Sequence, residues 1–489
     1  MTGRTALPSA ATDVVTRRRA RLFIGGRWVD GVGDIQVFDK FTGTPIGHAA
    51  VASREQVDEA VAGAHRSFET IRLDPHKRFQ ILSRAADLLE GRRDELVETI
   101  VAEGGMPVSN AALEVTRAIE TLVISGEEGK RLVGEVVPIE AAPGHAHRLA
   151  FTIRVPRGVV CGITSFNSPL NMVVHKVAPA LASGNTVVVK PPQATPFSAA
   201  ILVEVLIEAG LPPTHIALVQ GPGSKLGTWL VENPLIRFYT FTGSTEVGKT
   251  LQKSVGLRPI TLELGSIAST IVCGDADLAR AAPRVANSAF RRAGQACTST
   301  QRLFVERPVL DRFLDLFLEA VRRMPVGDPH DPETAVGPMI SEAEARRAEA
   351  WIQEAVAGGA RVLAGGTRRG ALLEPTVLTD TQPGMRVVSE EVFAPVVAVL
   401  PFETIDDAIR QVNATNFGLA AGIFTRDIDR ALGAAKALEV GVVHINEPPT
   451  SRADLMPFAG VKDSGLGTEG PKYAMHDMTE ARLVTVSLS

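Results

Sequence analysis

Between residues 185 and 272 the chain alternates short β-branched runs with helix-length segments, and that rhythm restricts the fold more than any other feature of its 489 residues. "NTVVVK" is followed by "TPFSAAILVEVLIEAG", then "IALVQG", a helix from about Ser224, "RFYTFTG", a helix from Thr245, and "ITLELG". Apolar runs of strand length separated by helices of ten or more residues are βαβ units, which build a parallel sheet covered on both faces. The helix before "LPP" carries its own stop, with Gly210 just past its end and two prolines behind. The rhythm resumes after residue 300 with "QRLFVE", helices over "PVLDRFLDLFLEAVRRM" and "EAEARRAEAWIQEAVAGG", then "ARVLAGG", "APVVAVLPF", "TIDDAIRQVNAT" and "VGVVHIN". Two α/β halves therefore meet near residue 264. Upstream, residues 77–130 predict long amphipathic helices with Phe79, Leu82, Ala86 and Leu89 on one stripe. Residues 131–156 and the tail "ARLVTVSLS" read as exposed strands with nothing local to pair with, an arm suited to another subunit.

Charge and cysteine usage narrow the function classes. Lys plus Arg number 51 against 55 Asp plus Glu, a formal net charge of -4, which argues against a nucleic-acid surface. No apolar stretch reaches the ~18 residues of a spanning helix, so a soluble protein is expected, with no membrane partner. "TRRRARLFIGG" has too short an apolar run for a secretory signal, and residues 1–20 are expected to form a loose extension. Cys161, Cys273 and Cys297 are odd in number and lack disulfide or metal spacing, so reduced thiols in the cytoplasm and no metal site are expected.

Cys161 in "GVVCGI" and Cys273 in "TIVCGD" sit in apolar runs and read as packed side chains. Cys297 differs, because Gly294, Gln295, Thr298 and Ser299 around it are small or polar. Glu263 closes the strand "ITLELG", at the sheet edge where open α/β folds bind ligands. A thiol and a carboxylate base are the pair needed to make and then hydrolyse a thioester, although spacing alone leaves an inert cysteine equally open. "FTGSTEVG" sets Gly243 and Gly248 about a strand-to-helix turn that can receive a pyrophosphate on free backbone N–H groups. "VVVKPP" ends its strand in Lys190, at the same ligand edge.

These motifs together resemble the aldehyde dehydrogenase superfamily from "LFIGGRWVDG" to "MTEARLV". "ITSFNSPL", "KVAPALASGNTVVVKPP", "FTGSTEVG", "LELGS", "GQACTS", "EEVFAPV" and "MPFAGVKDSGLG" occur in the family's order and spacing. The resemblance implies an α/β aldehyde dehydrogenase fold: a Rossmann-like coenzyme domain over 21–132 and 155–264, a catalytic domain over 265–465, and a small β oligomerisation arm over 133–154 and 477–489. It implies NAD or NADP as cofactor, an aldehyde as substrate, and a homodimer or homotetramer. By the same resemblance Cys297 attacks the aldehyde, the Asn167 amide and the Cys297 N–H receive the oxyanion, and Glu263 activates water for hydrolysis. The coenzyme falls to Lys190, Gln193, Gly243, Ser244, Val247, Leu264, Glu391 and Phe393.

The segment "PPTSRADLMPFAGVKDSGLGTEGPKYAMHDMTE" most resembles the branch acting on lactaldehyde, semialdehydes and phosphonoacetaldehyde. That branch implies Arg117 and Arg452 as candidates to hold an anionic tail, with Phe166 and Phe458 lining the substrate site. A neutral aliphatic or aromatic aldehyde is the alternative substrate, and a non-catalytic protein on the same fold the alternative class. A CoA-acylating enzyme is disfavoured by Glu263, which such relatives typically lack. Three positions depart from the family. Ser266 replaces a usual glycine, Gln193 replaces the glutamate common in NAD-preferring members, and Arg291 and Arg292 replace Phe and Asn and are expected to face solvent.

Overall fold

A computed structural model describes residues 18–488. Two mainly parallel sheets dominate, with a third, antiparallel one standing apart from them. In the first, the strands run in the order Gly465–Leu466, Ile260–Glu263, Ile236–Thr242, Val159–Ile163, Thr186–Lys190, Ile216–Leu218, Leu22–Ile24 and Arg27–Val29. From Ile260–Glu263 to Ile216–Leu218 every pairing is parallel. Helices cover both faces, so Val187, Val188 and Val189 are all fully buried, which is why this strand reads as a continuous apolar run rather than an alternating one. The edge strands Leu22–Ile24 and Arg27–Val29 form an antiparallel hairpin about Gly25 and Gly26, both at positive φ.

The second sheet runs Arg361–Ala364, Thr376–Thr379, Val396–Phe402, Arg302–Glu306, Ser269–Val272, Ala420–Phe424 and Val442–Ile445, parallel except for its first strand. Phe290, Phe313 and Phe317 pack as an aromatic cluster under it. Residues 264–268 are all that separate the last residue of one sheet's strand from the first of the other's. Ser464 clamps this connection: its carbonyl accepts the Leu264 N–H at 2.9 Å, its hydroxyl donates to the Gly265 carbonyl at 2.7 Å, and the same hydroxyl accepts the Gly418 N–H at 2.9 Å.

Two expectations are corrected here. The exposed strands do have a partner within the chain: Thr479–Ser487 pairs with Arg148–Pro156 along its whole length, and Val136–Val137 adds a third strand. Exposed backbone edges separated by more than three hundred residues satisfied each other, a pairing that local reading does not see. Of the extension expected over 1–20, residues 1–17 lie outside the described residues, while Arg18–Ala20 form a strand parallel to Pro45–Val51. The helices expected over 77–130 are Pro75–Gly91, Arg93–Gly104 and Val108–Gly129. Among the described residues no helix is long and apolar enough to cross a membrane.

Candidate active site

The C-terminal ends of the first sheet's strands open toward the second sheet, and a cavity of about 560 Å³ lies between them, lined among others by Phe166, Asn167, Glu263, Cys297, Glu391 and Phe393. Glu263 is there because it ends its strand, and Asn167 because it follows Val159–Ile163 in the loop before the helix Asn171–Ala182. Cys297 sits past a tight turn in which Arg292 and Ala293 both take left-handed backbone, followed by Gly294 at φ +67. A Cβ on Gly294 would stand 2.1 Å from the Ala394 carbonyl, so only glycine lets the turn approach this closely. Gln295 anchors the turn by accepting the Ile340 N–H on its side-chain oxygen at 2.9 Å.

Glu263 is unpaired in this arrangement. Both carboxyl oxygens of Glu263 are buried without a hydrogen-bond partner. Burial, then the neighbouring Glu469 carboxylate, raises Glu263 well above the usual carboxylate range. Burial, and then the neighbouring Glu263 carboxylate, pushes the Cys297 thiol up to about 12. Burial therefore disfavours the charged form of both groups. Asn167 accepts the Ser165 hydroxyl on its side-chain oxygen at 2.7 Å, which leaves its NH₂ free.

The coenzyme candidates gather around the same cavity. Ser244 caps the helix Thr245–Ser254, accepting the Val247 N–H at 3.4 Å, so the remaining free N–H groups of that first turn face outward. Gly243 ends the preceding strand's turn, and Leu264 packs so closely on Gly248 that a Cβ there would lie 2.3 Å from it. Lys190 is buried, donates only to the Pro191 carbonyl at 3.0 Å, and is pushed down to about 8 by burial. Gln193 is exposed in the turn beyond. Glu391 accepts the Ser266 N–H at 2.8 Å, and burial raises it to about 7. Phe393, itself at φ 49, meets Phe166 edge-on at 5.8 Å. An elongated polar molecule with an anionic middle fits this set: helix N–H groups and a cation beside one end, a carboxylate acceptor and an aromatic wall at the other.

Ser266 takes part through its backbone, and its side chain is buried. Arg452 lies 4.0 Å over the Phe458 ring, and Phe458 belongs to the small apolar cluster against which Cys297 packs. Arg117 is not free: Asp454, almost wholly buried, takes its fork at 2.7 and 3.0 Å and also contacts His175 at 2.8 Å. Glu469 is shared between Lys176 and Arg452, the latter at 3.5 Å; against the upward push of burial, Lys176, His175 and Arg452 hold it down to about 2.

The solvent-facing expectation for Arg291 and Arg292 is wrong. Arg292 is 8 % exposed, with one guanidinium nitrogen 3.7 Å from buried Glu114. Arg291 is half-buried and donates only to the Thr450 carbonyl at 3.3 Å, leaving its Nε buried without a partner. A kinked turn, not the regular helix before it, decides where these side chains point, and the spacing of apolar residues says nothing about kinks. Lys176, Glu469 and His175 escape the sequence reading. "NMVVHKVAPALA", a helix with a histidine and a lysine in an otherwise apolar run, was the signal available, because buried cations require partners.

Residues 28–484 match the aldehyde dehydrogenase family. The chain belongs to that family. The 3-sulfolactaldehyde dehydrogenase of Priestia aryabhattai is 43% identical over 477 residues, covering 98% of this chain and 100% of that protein. The mitochondrial succinate-semialdehyde dehydrogenase of Arabidopsis thaliana is 38% identical, covering 95% and 89%. Among solved structures, the NADP-dependent glyceraldehyde-3-phosphate dehydrogenase of Bacillus halodurans C-125, complexed with NADP, superposes with a TM-score of 0.94 at 37% identity, covering 97% of this chain and 100% of that one. This aldehyde dehydrogenase is thus an oxidoreductase of the NAD(P)-dependent kind.

A thiol held near 12 makes a testable demand on this aldehyde dehydrogenase without coenzyme. Alkylation of Cys297 by iodoacetamide should be slow at neutral pH and rise about tenfold per pH unit through the range of roughly 7 to 10, because only the thiolate reacts. Cys161 and Cys273, both 0% exposed, should not label. A rate flat across that range would show that the thiolate already exists at rest.

Proposed function

We propose that this aldehyde dehydrogenase oxidises a short aldehyde with an anionic tail, a carboxylate, sulfonate, phosphonate or phosphate, to the free acid. The observation that carries the substrate class is the surplus of buried positive charge beside Cys297. Asp454 takes Arg117, Glu114 faces Arg292, and Glu469 is divided between Lys176 and Arg452. Arg291 has no carboxylate, and burial, with Arg292 and Arg117 near it, pushes its guanidinium down to about 10. A buried cation without a counterion is costly, and a ligand that brings the missing anion recovers that cost on binding. Arg291 and Arg452 therefore form the clamp, with Arg117 positioning Asp454 rather than gripping the tail. The relatives named for sulfolactaldehyde and succinate semialdehyde support an anionic substrate. A neutral aldehyde would leave Arg291 uncompensated.

In this reading the clamp fixes the tail and leaves the carbonyl carbon over the Cys297 sulfur, converting a bimolecular encounter into a positioned attack. The Asn167 NH₂ and the Cys297 N–H receive the oxyanion. A bound nicotinamide coenzyme would supply the hydride acceptor for this chemistry. Glu391 and Phe393 would hold its nicotinamide end, Ser244 its pyrophosphate and Lys190 its adenosine ribose. Glu263 then takes a proton from the water that hydrolyses the thioester. Gln193 places no carboxylate against a 2′-phosphate, so NADP is accepted as well as NAD. The arm exposes Leu149, Ile153, Leu483 and Val486 and serves as the surface through which copies of the chain form a homodimer or homotetramer. Free thiols suit a cytoplasmic enzyme.

Three experiments test this reading. Glu263→Gln should keep a burst of reduced coenzyme but lose steady-state turnover, about 100-fold or more for a missing general base, whereas Cys297→Ala should lose both. A wild-type steady-state rate in Glu263→Gln would assign deacylation to another base. Arg291→Met should lower kcat/KM for an acidic aldehyde such as succinate semialdehyde by roughly 30-fold or more, the equivalent of ~2 to 5 kcal/mol for a charge-assisted contact, and change a neutral aldehyde of similar length much less. Equal losses on both substrates, or a wild-type preference for the neutral one, would remove the anionic-tail assignment. Gln193→Glu should raise the KM for NADP at least about tenfold while sparing NAD, since one repulsive contact of ~1.4 kcal/mol is a factor of ten. A variant that uses both coenzymes as before would show that residue 193 does not face the ribose.

A further inference from the structure

Arg292 stands in backbone that its side chain makes unfavourable. Its φ and ψ are 55° and 32°, and Ala293 follows at 52° and 36°, two consecutive non-glycine residues in the left-handed region. Such conformations persist only where the surroundings over-determine them. The guanidinium does so here. One of its terminal nitrogens donates to the Asn167 carbonyl at 3.2 Å and to the Ser168 hydroxyl at 2.6 Å, while the other lies 3.7 Å from Glu114. Glu114 in turn accepts the N–H groups of Leu170 and Asn171 at 2.9 and 3.2 Å, where the helix Asn171–Ala182 begins. A single buried side chain thus joins the turn that carries Cys297 to both ends of the segment that carries Asn167.

We infer that Arg292 is a positioning residue that fixes the spacing between the Cys297 sulfur and the Asn167 amide. The inference rests on the roles proposed above for those two residues. The oxyanion must form between a sulfur on one sheet's connection and a side-chain donor on the other's, and nothing in the intervening cavity sets that separation. Two hydrogen bonds to the Asn167–Ser168 backbone and hydroxyl from the nucleophile's own turn set it directly. Arg292 spends one terminal nitrogen on Asn167 and Ser168 and turns the other toward Glu114, whereas Arg291 beside it meets only the Thr450 carbonyl; the Nε of each is buried without a partner. An asparagine at this position would suit the left-handed backbone better but could not span to Asn167.

The test is a double-mutant cycle read on the acylation burst, with Arg292→Asn, Asn167→Ala and the pair. Arg292→Asn is chosen because asparagine tolerates the left-handed backbone, and Arg292→Lys serves as a second variant that keeps a donor. Arg292→Asn should lower the burst rate about 100-fold, as a misplacement of about 1 Å can, and should cost little further once Asn167 is already alanine. Alkylation of Cys297 by iodoacetamide forms no oxyanion, so its rate should change by no more than about threefold, and Arg292→Lys should recover part of the burst. Equal losses in both backgrounds, an alkylation loss as large as the burst loss, or an unchanged burst would overturn the inference. An unchanged burst in Asn167→Ala alone would instead take the oxyanion from Asn167, a failure of the underlying reading that this cycle distinguishes.

Discussion

Ser464 is the point on which the two sheets agree. Its carbonyl and hydroxyl bind the backbone of Leu264, Gly265 and Gly418, so the strand that ends in Glu263 is held against the element that returns from the second sheet. Without a fixed junction across residues 264–268, Glu263 on one sheet and Cys297 beside the other would have no defined separation. A buried serine with its donor and acceptor both satisfied serves this better than an apolar contact, because hydrogen bonds define direction as well as distance.

The charges around the junction explain why the resting site is quiet. Burial raises the cost of ionising both the Cys297 thiol and the Glu263 carboxyl, with the Glu263 charge adding to the first and the Glu469 charge to the second. The arginines do not abolish that effect, because most of them are already matched: Asp454 for Arg117, Glu114 for Arg292, Glu469 for Arg452. Glu469 is divided between Arg452 and Lys176, and Arg291 meets no carboxylate at all, so positive charge is left over.

Much of the architecture was legible in the sequence because periodicity reports burial. Strands such as Thr186–Lys190 and Ile236–Thr242 stand where apolar runs announced them, and the Cys297, Glu263 and Asn167 motifs do converge on one cavity. The strand Ala420–Phe424, inside the second sheet, is short and rich in small residues, so no run marks it. The helix Arg54–Thr70 was also passed over, although Ser53 and Gln56 form a capping box at its start. At the site the limit was different. Arg117 and Arg452 could be nominated from their neighbours in sequence, but which carboxylate each one meets depends on pairs brought together by the whole fold. Asp454 finds Arg117, not Arg452 two residues away, and Arg291 and Arg292 turn inward because of a kink no periodicity encodes.

The partners in that ion network lie far apart along the chain. Arg117 and Asp454 are separated by 337 positions, and Lys176 and Glu469 by 293. The helix Pro471–Asp477 packs on Asn171–Ala182, and the strand Thr479–Ser487 completes a sheet begun by Arg148–Pro156. Nearly everything that neutralises the cations on the two helices from Val108 and Asn171 is contributed by the final forty or so residues. During synthesis those helices therefore emerge with Arg117 and Lys176 unmatched, and they remain so until the ribosome has released the C-terminal segment. Long-range pairing of this kind is slow to form and leaves apolar surface open meanwhile. Glu263 and Cys297 are thus both translated long before the carboxylates that balance the buried cations of these helices.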